Sequence, residues 1–118
     1  MDVFNLTVKQ ISEKIKDAQL TSVDLCKTYI ERIKKFEKDI HAWAHFDEKI
    51  LLEKAEEADN HRRSGKTLGL LHGIPVALKD IIGTLDMPTE CGTVFRKGMS
   101  ASQDAEIVDL LKTEGAII

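Results

Sequence analysis

Lys79 is the side chain in this 118-residue sequence with the clearest route to chemistry. It follows directly on Ile74-Pro75-Val76-Ala77-Leu78, a short continuous apolar run of the kind that forms a strand buried on both faces. In open α/β sheets, ligands bind beyond the carboxyl ends of the strands. A lysine held there in apolar surroundings loses hydration of its charged form, and the neutral amine then serves as a general base toward a hydroxyl. The plainer alternative is a solvated lysine where the strand emerges, paired with Asp80. Position alone favours that alternative, because strand ends often carry charges.

The other reactive side chains carry less. His41 and His45 stand at i, i+4, a spacing that holds zinc when both lie on one helix. The metalloprotease pattern needs Glu after the first histidine, whereas Ala42 is there, and no third ligand is evident. Packing or hydrogen bonding is the expected role of the pair. His72, just before Gly73, reads as a structural ring tying down a turn. Cys26 falls in register with Ile30 and Ile33 and is expected in the core. Cys91 is expected in a loop as a small, semi-buried filler. Two cysteines are too few for a disulfide framework. Gly65, Gly69 and Gly73 make no phosphate loop, because no G-K-[ST] closes the pattern ahead of a helix.

These residues need elements to hold them. Thr7 and Gln10 form a capping box for a first helix, with Leu6 placed to staple onto Ile11. Val8, Ile11, Ile15 and Ala18 form its apolar stripe. Thr21 caps a second helix, with Asp24 three residues on and Leu20 placed to meet Leu25. Cys26, Tyr29, Ile30, Ile33 and Phe36 line that helix. Two amphipathic helices joined so closely predict an antiparallel hairpin. Asp47 caps a third helix running to about Arg63, with Leu51, Leu52, Ala55 and Ala58 inward and Gly65 suited to a left-handed cap. After the Ile74–Leu78 strand comes a long loop from Gly83 to about Ala101. Ser102 is expected to cap a fourth helix, with Asp104 in its first turn, Lys112 in its last, Val108 and Leu111 inward and Gly115 as its stop. Ala116-Ile117-Ile118 begins a second strand.

Strand, loop, helix and strand read as one crossover unit of a parallel sheet. Two strands cannot cover their own faces and edges. The expectation is therefore an α/β chain that is the amino-terminal part of something larger. Residues 1–68 would be the helical part and 69–118 the start of the α/β core of a single domain. Charged residues make up 31% and the net charge is −3, so no basic stripe points to direct nucleic-acid binding. The start, Met1-Asp2-Val3-Phe4-Asn5, does not look like a secretion signal, and no apolar run approaches bilayer length. A cytoplasmic protein without membrane contact is expected.

The segment Gly69-Leu70-Leu71-His72-Gly73-Ile74-Pro75-Val76-Ala77-Leu78-Lys79-Asp80 resembles the amidase signature family. Asp86-Met87-Pro88-Thr89-Glu90-Cys91-Gly92-Thr93 is similar to the loop that follows the family's lysine strand. Asp104-Ala105 through Gly115-Ala116-Ile117-Ile118 is similar to its next helix and strand. The resemblance covers nearly the whole chain, and the His72–Asp80 stretch is its specific part. It implies a Ser–Ser–Lys triad that hydrolyses a linear carbon–nitrogen amide bond, with a cis peptide before the relay serine. Lys79 is the one catalytic position that maps onto this sequence. Both serines and the oxyanion loop would lie beyond Ile118, so the chain alone would be inactive. The implied substrate is a small-molecule amide. No cofactor or metal is implied, and a homo-oligomer is compatible with the pattern.

The sequence departs from the family where Leu70 replaces a common proline, Gly83 stands where many relatives have Asp, and Ala101-Ser102 precede Gln103. The Met87–Glu90 stretch looks closer to general amidases than to the family's members in tRNA-dependent amidotransferases. An amidotransferase component of that kind is the alternative enzyme, using the same triad to release ammonia from glutamine. A truncated gene product or a helical interaction module is the non-enzymatic alternative.

Overall fold

A computed structural model describes residues 2–118. Its regular elements are four helices: α1 (Val8–Lys16), α2 (Ser22–Ile40), α3 (Glu48–Arg63) and α4 (Glu106–Thr113), with 3-10 turns at Val3–Asn5 and Val94–Arg96. The first three start where their caps lie. The Thr7 hydroxyl accepts from the Gln10 N–H while the Gln10 side chain accepts from the Thr7 N–H, closing the capping box. Thr21 accepts from the Asp24 N–H, and Asp47 from the Ile50 N–H. Gly65 and Gly115 take left-handed backbone just past α3 and α4.

α4 starts differently from the expectation. Ser102 does not cap it. Ala105 occupies the cap position without a side-chain hydrogen bond, and the helix begins at Glu106. Asp104 therefore sits outside the first turn. Its carboxylate is used elsewhere, accepting from the Leu85 N–H at 2.7 Å and from Lys112 Nζ at 2.5 Å. The expected α1–α2 hairpin is also corrected, because the helices that pack most extensively on each other are α2 and α3. α1 joins α2 through side chains: Ile11 and Ile15 share a buried cluster with Leu20, Leu25, Val3 and Ile74.

The largest correction concerns the sheet. Among the described residues no strand forms. Ile74–Leu78 and Ala116–Ile118 are extended segments joined by one parallel bridge, Pro75 with Ile117. The Val76 N–H donates to Ile117 O at 2.8 Å, and the Ile117 N–H to Ile74 O at 2.9 Å. Pro75 fits because its missing N–H lies on the side that makes no bond to Ile117. Among the described residues the ladder extends no further than this bridge.

Side chains fix the bridge more firmly than its hydrogen bonds do. Ile74 enters the α1–α2 cluster, while Ile117 joins Cys26 and Ala55 in a second cluster between α2 and α3. Burying each isoleucine stabilises by roughly 1.5–3 kcal/mol, against about 1 kcal/mol for each hydrogen bond. Glycines let the backbones close in. A Cβ on Gly73 would lie 1.9 Å from Ser22 Oγ, and one on Gly69 would lie 2.4 Å from Glu114 O. No helix among the described residues is long and apolar enough to cross a membrane.

Candidate functional site

Lys79 leaves the extended segment four residues after the bridge at Pro75, where a turn begins. Its carbonyl accepts from the Ile82 N–H at 3.0 Å. The side chain is exposed. The apolar surroundings expected of it are therefore absent from these 118 residues: Ala77, two residues before it, is exposed, and the segment is bridged on one edge only. The expected pairing with Asp80 is absent as well. Among the described residues, no carboxylate lies within ion-pairing distance of the Lys79 ammonium.

Asp80 has other partners. Its Oδ1 accepts from the Glu90 N–H at 2.8 Å and its Oδ2 from the Gly92 N–H at 3.4 Å. Its backbone carbonyl accepts from the Cys91 N–H at 2.9 Å. The loop is tied further along. The Thr89 N–H donates to Met99 O, the Gly98 N–H to the Glu90 carboxylate at 2.7 Å, and Arg96 Nε to Thr89 O. The long loop is therefore a hydrogen-bonded structure rather than a free tether.

An ion network braces the loop from the other side. Lys54 on α3 and Lys112 on α4 both reach Asp86, at 2.7 and 3.9 Å, and Lys112 also holds Asp104. Partial burial of Asp86 works to raise its pKa, but the Lys54 hydrogen bond and the Lys54 and Lys112 charges outweigh it and hold the carboxyl below its usual range. The Lys112 hydrogen bond, joined by the Leu85 N–H, lowers Asp104 in the same direction.

His72 is structural, as its place before Gly73 suggests. It is buried, and its Nε2 donates to Ala58 O at 2.9 Å, fastening the turn to α3. His41 closes α2 in the left-handed region, at φ 51°, so it does not share a helix with His45. Among the described residues no group of three or more His, Cys, Asp and Glu side chains could hold a metal ion. Cys26 is fully buried, and burial, reinforced by the charge of Asp59, pushes its thiol up to about 12. Cys91 is exposed rather than semi-buried, and its backbone is left-handed at φ 55°.

Asp59 is the polar residue that the helix pattern passes over. It is 2% exposed on the inner face of α3, and its carboxylate accepts from the Ser22 and Val23 N–H groups at 2.9 and 3.1 Å. The signal is present: Asp59 falls four residues after Ala55, in line with the apolar stripe. An apolar cavity of about 290 Å³ lies beside residues 75–77, lined among others by Tyr29, Trp43, Phe46, Ile50 and Ile118.

The model of the family described as Amidase matches residues 24–118. A glutamyl-tRNA(Gln) amidotransferase subunit from Rhodopirellula baltica is 35% identical over 112 residues, covering 95% of this chain and 22% of its own. Native peptide amidase from Stenotrophomonas maltophilia superposes with a TM-score of 0.90 at 29% identity, over 98% of this chain and 24% of that one. An amidase family protein from Bacillus anthracis gives 0.85 at 34% identity, over 98% and 23%. The chain thus spans less than a quarter of the length of each of these three.

Proposed function

This chain belongs to the amidase family, and from that premise we propose that Lys79 is the proton acceptor of a hydrolase acting on a linear carbon–nitrogen bond. The observation that carries the reading is Lys79 itself. It emerges where the bridged segment ends, inside the matched region, and its neighbouring carboxylate is engaged by backbone N–H groups instead of by its ammonium. Among the described residues that leaves the Lys79 ammonium with no carboxylate partner.

In the proposed reaction, a serine Oγ bonds to the amide carbonyl carbon. A second serine passes the proton of the first to Lys79 and afterwards returns it to the departing nitrogen as the C–N bond breaks. Backbone N–H groups hold the oxyanion. Water then cleaves the resulting ester and releases the acid. This proposal assigns neither serine and none of the oxyanion donors to a residue of these 118, and on that assignment the chain by itself should not hydrolyse amides. The substrate is a small-molecule amide, and the chemistry requires no cofactor. Replacing Lys79 by Ala in the full-length protein carrying this chain should abolish amide hydrolysis while substrate binding persists.

One observation favours a second reading. The Rhodopirellula relative, 35% identical, bears the name of an amidotransferase component. On that reading the same lysine serves a glutaminase that works with partner proteins. Hydrolysis of glutamine only when such partners are added would select it. Turnover of simple amides by the unassisted protein would select the first reading.

A further inference from the structure

Three consecutive backbone N–H groups converge on Asp80. Those of Glu90 and Gly92 reach the two carboxylate oxygens, and that of Cys91 reaches the main-chain carbonyl. The turn that presents them is left-handed at two successive residues, Cys91 at φ 55° and Gly92 at φ 67°. A non-glycine residue enters that region reluctantly, so Cys91 is kept there by what the turn binds. Successive N–H groups in such a turn form a concave site for an anion. Here the anion is the chain's own Asp80 carboxylate. Lys79, one residue before it, is absent from the arrangement.

We propose that Asp80 is a positioning residue for Lys79: it locks the end of the lysine-bearing segment to the 90–92 turn, and the turn takes up its negative charge so that Lys79 is spared an ion pair. This rests on Lys79 being the proton acceptor. Geometry supports a locking role. Both carboxylate oxygens and the Asp80 carbonyl are used at once, so the residue can neither rotate nor shift along the chain without breaking a bond. The loop beyond is itself fastened by Gly98 to Glu90 and by Arg96 to Thr89, so the anchor does not yield. A carboxylate left free beside Lys79 would instead draw the ammonium toward itself and away from a substrate.

Two measurements test this independently. In the full-length protein carrying this chain, amide hydrogen exchange at Glu90, Cys91 and Gly92 should speed up by about 10-fold or more in Asp80→Ala, as expected when a local opening loses its anchor. Lys79→Ala should leave those three amides unchanged. Asp80→Asn keeps one acceptor and should retain protection at Glu90 while losing it at Gly92, which guards against an alanine variant that misfolds. In the full-length protein, Asp80→Ala and Asp80→Asn should lower kcat for amide hydrolysis and leave KM near its starting value. Adding either to Lys79→Ala should cost nothing further. Unchanged exchange at all three amides in Asp80→Ala would overturn the clamp. A double variant that loses the same factor again would overturn the positioning role. If Lys79→Ala retains full activity while the exchange result stands, the reading of Lys79 fails and the clamp does not.

Discussion

Replacing Asp59 by Ala should be among the most damaging single polar changes in this chain, and the reason lies in how α2 is capped. Thr21 satisfies the Asp24 N–H, the usual work of an N-cap. That leaves the Ser22 and Val23 N–H groups, which the Asp59 carboxylate takes at 2.9 and 3.1 Å from across the helix interface. Ser22 and Asp59 are both buried, so water cannot replace the lost acceptor. A hydrogen bond to a charged group contributes roughly 1.5–3 kcal/mol, and an orphaned buried N–H costs a comparable amount. Allowing for the desolvation that the carboxylate no longer suffers, the net loss should be about 3 kcal/mol. Thr21→Ala, which removes the ordinary cap, should cost about 1 kcal/mol. Asp59→Asn keeps one oxygen and should fall between them. Urea unfolding followed by helical circular dichroism measures all three. If Asp59→Ala costs no more than Thr21→Ala, the cross-helix cap is not a principal contact between α2 and α3.

Other expectations follow from single contacts. Gly73→Ala places a Cβ 1.9 Å from Ser22 Oγ at a left-handed φ of 71° and should destabilise by roughly 3 kcal/mol or more, whereas Gly65→Ala, left-handed but with open space around it, should cost only about 1–2 kcal/mol in the same unfolding assay. Asp86 and Asp104 both titrate below their usual range in the folded chain, so the stability they contribute is complete above about pH 5 and is lost as pH falls through the lowered folded values. The stability difference between wild type and Asp86→Asn should therefore be constant above that pH and shrink in acid. A thiol reagent at neutral pH should modify Cys91 quickly and Cys26 only after denaturation; two reactive thiols in the native chain would contradict the burial of Cys26.

Local signals in the sequence locate the first three helices, because each begins at a side chain whose hydrogen bond is made within three residues. Thr7, Thr21 and Asp47 need no tertiary context to be read. The fourth start escapes such reading because Asp104 is claimed by Lys112 and Leu85, contacts 8 and 19 residues away in sequence. The apolar run at Ile74–Leu78 and the segment at Ala116–Ile118 do lie side by side and parallel, and among the described residues one bridge joins them. At the site, sequence pattern singles out Lys79 by its place after the apolar run, and family resemblance gives it a role. Neither reveals that Asp80 turns away from it. That follows from the fold of residues 90–92, where a left-handed cysteine carries no composition signal. Asp59 is legible as a charge in an apolar stripe, but its partners are 36 and 37 residues away.

The proposed chemistry stands or falls on Lys79 accepting the proton of a serine nucleophile. The pH dependence of amide hydrolysis by the full-length protein carrying this chain, with Lys79 and with Ala in its place, decides the matter. If Lys79 is the acceptor, Lys79→Ala lowers kcat by about 10³-fold or more, leaves KM within a few-fold, and removes the rise in rate with pH that a general base produces. Retention of kcat within about 10-fold, with the pH profile unchanged, would show that the proton goes elsewhere.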